Sequence, residues 1–205
     1  MEPDTNPVNA LMTDMAAHPG EAFRWIASGA LIGAAAVVAL HFVLCLIARR
    51  PAQPKARWTR WETLVYLGTI AAVCVLAATA FGTVLRHGAL EGWWLMAHMA
   101  GAGAFVVVLP VLALSWCEAN RFGRHRSRGA DERTPRFFWF PKLMFWLFVA
   151  SGLAVIVTML LSMVPLFGSD GMHRLLEIHR YSGLVAVIAL VLHLYTVLLQ
   201  RLGLR

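Results

Sequence analysis

Eight histidines carry most of the chemistry this chain can offer, and four of them lie within apolar runs: His41, His98, His179 and His193. An ionisable side chain within a membrane span is costly, usually faces the interior of a bundle, and marks a functional position. The other four, His18, His87, His125 and His173, fall in the tail or in connections and read as solvated surface histidines. His179 and His193 are fourteen positions apart. At 1.5 Å and 100° per residue, that spacing separates them by roughly 21 Å along one helix and by only about 40° around it. One helix therefore presents two imidazoles on one face at two depths, the arrangement required by two stacked haems in opposite leaflets.

The elements that must hold these residues follow from composition. The chain has 205 residues, of which 59% are hydrophobic and 14% charged, with a mean hydropathy of +0.65. A soluble domain carries about 25% charged residues, so a soluble enzyme is excluded. Five apolar runs, at residues 25–47, 61–85, 93–116, 145–167 and 175–199, are each long enough for the ~20 residues of a membrane span. The expected fold is an all-α bundle of five transmembrane helices, residues 25–205, behind a polar tail over residues 1–24. That tail lacks the order of a signal peptide.

The net charge of +7 does not indicate nucleic acid, because the cations sit between the spans, where they act as topology signals. Only Arg24, Arg86, Arg174 and Arg180 fall on one side of the five-span arrangement; the other fourteen of the 18 Lys and Arg fall on the opposite side. The positive-inside rule makes the latter cytoplasmic, with the N-terminus outside, the C-terminus inside, and a bacterial cytoplasmic membrane as the expected location. Cys45, Cys74 and Cys117 form no C-x-x-C or C-x-x-C-H pattern, which excludes covalent haem attachment and a thiolate metal site.

This topology sorts the intramembrane histidines by depth. His98 and His179 fall near the outer end of their spans, His41 and His193 near the inner end, so the expectation is two b-type haems, an outer one on His98 and His179 and an inner one on His41 and His193. Two imidazoles per iron leave no open position, which suits electron transfer. Gly101 and Gly183, three and four residues after the outer ligands, are expected to leave room for a flat macrocycle, and likewise Gly29 and Gly33 in the first span. Arg180, beside His179, is a candidate partner for a haem propionate, together with Arg174 and Arg86.

From Arg57 to the C-terminus the chain resembles the gamma, cytochrome b subunit of membrane-bound formate dehydrogenases and its relatives in hydrogenases and thiosulfate reductases. The resemblance rests on Pro141 to Trp146 followed by Ser151-Gly152-Leu153, on the H-x-x-x-G-x9-H-x-Y run from His179 to Tyr195, and on His98-Met-Ala-Gly101. It implies haem ligation by the matching histidines and electron transfer between a quinone and a periplasmic partner subunit that holds haem or iron-sulfur centres. The family opens its first span with R-x-T-x-x-E-R-x-x-H, whose His ligates the inner haem; the run here, Arg57 to Tyr66, ends in Tyr. His41, in an additional N-terminal span, is the expected replacement. Tyr66, Glu62 and Gln200 are candidates for polar contacts to the quinone. Two other functions fit the sequence: a stand-alone cytochrome passing electrons from superoxide to quinone, and a haem-free membrane scaffold.

Overall fold

A computed structural model of the chain describes residues 18–47, 58–122, 139–164 and 166–202. These form five helices: α1 (Pro19–Ile47), α2 (Arg60–His87), α3 (Gly92–Trp116), α4 (Trp139–Ser162) and α5 (Ser169–Leu202). All five are long and apolar enough to cross a membrane. No strand occurs among the described residues. In hydrocarbon every backbone polar group must be satisfied internally, and a helix does so within one segment.

Three helices begin earlier than the apolar runs suggest. α1 starts at Pro19, α4 at Trp139 and α5 at Ser169, each about one and a half turns before the first apolar residue of its run. The added residues are mixed in character, mainly polar or small in α1 and α5 and mainly aromatic or apolar around Lys142 in α4, so a run counted from its continuous apolar stretch starts too late. The expected tail therefore loses residues 19–24 to α1, and residues 1–17 lie outside those described. α2 opens on a capping box: the Thr59 hydroxyl accepts from the Glu62 backbone N–H at 3.1 Å, and the Glu62 carboxylate accepts from the Thr59 N–H at 2.6 Å. It closes on Gly88, whose φ of 79° is the left-handed conformation that suits glycine and whose N–H donates to the Val84 carbonyl. α3 continues through Pro110, which faces outward.

Packing follows chain order. The short connection 88–91 folds α3 back on α2, and 163–168 folds α5 back on α4, giving two tight hairpins. The hairpins meet where α3 lies against α4. A Cβ on Gly152 would stand 2.9 Å from Leu109 and 3.0 Å from Phe105, so the absent side chain sets the approach of those helices. The main core joins Val65, Tyr66, Val73, Leu109, Leu112, Trp116, Phe145, Phe148, Ala189, Leu190 and Val197, residues from all four hairpin helices. Most of it occupies the half of the bundle nearer the end of α3 and the start of α4. α1 stands apart: it touches α5 and α2 through a small cluster around Phe23, Ala27 and Leu184, and most of its other side chains face outward.

Candidate functional site

α3 and α5 belong to different hairpins and do not pack directly against each other along their length. His98 on α3 and His179 on α5 are nevertheless close enough to interact electrostatically, and both are half-buried. The two histidines that depth matching assigns to the outer end thus lie at the same end of the bundle.

Each of the two imidazoles is held from behind by a threonine of its own hairpin partner. His98 Nδ1 is 2.9 Å from Thr79 Oγ1 on α2, and His179 Nδ1 is 3.1 Å from Thr158 Oγ1 on α4. Thr79 uses its single hydroxyl proton on the Val75 carbonyl at 2.7 Å, and Thr158 uses its proton on the Ala154 carbonyl at 2.8 Å. With that proton so used each threonine oxygen accepts, and an Nδ1–H on the histidine is the tautomer that satisfies the contact. Nε2 is left with its lone pair, the state an imidazole needs to bind a metal, and the Nδ1 contact fixes the ring orientation. Nothing in the sequence reading singles out Thr79 or Thr158. Threonine is common in membrane helices, and its position behind a histidine becomes visible only once the hairpin register is known.

The glycines divide. A Cβ on Gly183 would meet nothing within 4 Å, so the α5 face one turn beyond His179 opens onto free space. A Cβ on Gly101 would stand 3.1 Å from Val75 and 3.3 Å from Leu76, so Gly101 serves the close packing of α2 on α3 and not a cofactor face. Gly29 and Gly33 border open space on the loosely packed α1. Arg180 donates to the Glu177 carboxylate at 3.0 Å, and its guanidinium lies 5.8 Å from the centre of the Phe23 ring. It ties α5 to α1, helped by the edge contact of Phe23 on Tyr181, while Arg24 ties α1 to α2 by donating to the Leu85 carbonyl.

The inner pair is not assembled. His41 shares a hydrogen bond of 2.7 Å with the Tyr195 hydroxyl, and Cys45 lies 3.6 Å from the same ring nitrogen. Tyr195 is two positions after His193 and so lies about 200° around α5 from it. α1 thus approaches the opposite side of α5, along an apolar groove lined by Ala34, Val38, Val187 and Val191. His193 itself is 2% exposed and donates from Nδ1 to the Pro141 carbonyl at 2.9 Å. Facing it are the rings of Phe145 and Tyr66, with centroids at 5.7 and 6.1 Å. The equal depth of His41 and His193 is correct, but they face different neighbours. Of the candidate quinone contacts, Glu62 is committed to the α2 cap and Tyr66 is buried in the aromatic core, while Gln200 is half-buried near the end of α5.

No family model, curated protein or solved structure matches the chain. Its reading rests on this geometry. Among the described residues no three His, Cys, Asp or Glu side chains cluster as a metal site built from protein alone. His98 and His179 could supply two imidazole donors, and an iron held by them would have to take its remaining donors from a macrocycle. The open α5 face at Gly183 and the separation of α3 from α5 fit such a group at His98 and His179. The packed surroundings of His193 do not fit one.

Proposed function

We propose that this protein is a membrane-embedded b-type cytochrome, an electron-carrying subunit of an oxidoreductase complex, with haem held between His98 and His179. The observation that carries this reading is the matched pair of threonine contacts on Nδ1, which leaves Nε2 of each ring for a metal, on two helices that belong to different hairpins. Haem supplies reversible one-electron chemistry. His98 and His179 would hold the haem, Thr79 and Thr158 orient their imidazoles, and the apolar helices around them would keep water from the site. The lysine and arginine bias puts this end of the bundle on the periplasmic side of a bacterial cytoplasmic membrane. Electrons then pass between a redox partner docked there, with haem or iron-sulfur centres, and a quinone in the membrane.

The purified protein is expected to give a reduced-minus-oxidised b-type band. H98A and H179A should each abolish it while leaving helix content unchanged by circular dichroism. A chain with no haem by pyridine haemochrome assay would instead be a scaffold. Purification from native membranes under mild detergent should retain the partner subunit; recovery of an active cytochrome alone would favour the superoxide-to-quinone activity.

A further inference from the structure

The half of the bundle around His193 is built to exclude a second cofactor. Tyr66, Trp116 and Phe145 are 6%, 1% and 1% exposed, and their rings interlock: Tyr66 on Trp116 at 5.5 Å, and Trp58 on Trp116 at 4.6 Å. His193 has the same Nδ1-protonated tautomer as the other two histidines, so its chemistry alone would allow ligation. What differs is the group standing opposite, a tyrosine ring in place of an imidazole. Among the described residues the other histidine at this depth is His41, which is turned to Tyr195 on the far side of α5. A macrocycle on His193 would require Tyr66, Trp116 and Phe145 to leave a close-packed core, and packing of that kind is not displaced without cost.

We propose that the chain carries a single haem, and that electrons enter and leave at the same end of the bundle. This rests on the haem reading of His98 and His179 given above. From His179 to Gln200 the helix rises by roughly 32 Å, with no second redox group between, too far for one tunnelling step. The quinone is therefore reduced or oxidised near the His98 end. Two electrons, passed singly through the haem from the partner, and two protons from the adjacent surface convert quinone to quinol. The reaction moves no charge across the membrane.

Haem per polypeptide, measured by pyridine haemochrome against quantitative amino-acid analysis, is expected to be one. A redox titration should fit one one-electron component. A value of two, or two resolved components, overturns the inference and leaves the parent reading standing; no haem at all overturns both. H193N should keep the full band, since its amide can still donate to the Pro141 carbonyl, whereas loss of half the band would count against a single site. Sealed membrane vesicles of the two orientations give an independent readout. A membrane-impermeant oxidant should bleach the reduced haem quickly from the His98 face alone, and equal rates from both faces would exclude the one-sided path.

Discussion

At the residue scale the decisive groups are two threonines. A hydrogen bond from Nδ1–H raises the donor strength of Nε2 and fixes the ring, and loss of such outer partners typically lowers metal affinity about 10–100-fold. T79V and T158V retain shape and remove only the acceptor oxygen. Each is expected to weaken haem retention by about 10–100-fold, read as haem loss to an apo-globin trap, and to shift the reduction potential upward because a weaker donor stabilises ferric iron less. A merely structural threonine would leave the potential unchanged. Tyr66 gives the opposite pattern. Y66A removes a ring from a closed core, and truncation of a large buried aromatic costs about 3–5 kcal/mol. The thermal midpoint in detergent should fall while haem content stays the same.

At the element scale, depth was legible in the sequence and azimuth was not. Rise per residue is fixed, so the positions of His41, His98, His179 and His193 along their helices follow from counting. Which side of α5 receives α1 depends on the cluster of Phe23, Ala27, Leu184 and Tyr181, contacts between residues more than 150 positions apart that no local pattern encodes. The five spans were legible because each apolar run is long. Their starts were not, because helix continues beyond the continuous apolar run into mixed residues such as those at 20–24 and 170–174. The same distinction separates the glycines. G183L should fill the open face beside His179 and exclude haem without changing helix content. G152L should force α3 from α4 against Leu109 and Phe105, with an overpacking cost of about 1–3 kcal/mol read as lower thermal stability. H41A should leave the haem spectrum intact, since its partner is Tyr195, and should loosen α1 at the end away from Phe23, read as faster proteolysis of the 48–57 connection.

At the scale of the whole molecule, two hairpins are locked together at one end by aromatic packing and carry two histidines, His98 and His179, toward the other. The one-sided electron path has physiological meaning only if the imidazole end has a defined side of the membrane, and the chain contains its own reporter of that side. Cys117 follows the last turn of α3 and is exposed, at the end of the bundle opposite His98. Cys74 is also exposed on its helix surface but lies fourteen residues into α2, near mid-membrane, and Cys45 is partly covered beside His41. A charged, impermeant maleimide reacts with a thiolate in water and not with a thiol facing hydrocarbon. In intact spheroplasts Cys117 should therefore resist labelling, and in inverted vesicles it should label rapidly, with C117S abolishing the signal. This is the polarity that fourteen cytoplasmic Lys and Arg against four predict. Labelling from the outside would invert the bundle, bring the His98 end to the cytoplasm, and require the redox partner to be a cytoplasmic protein.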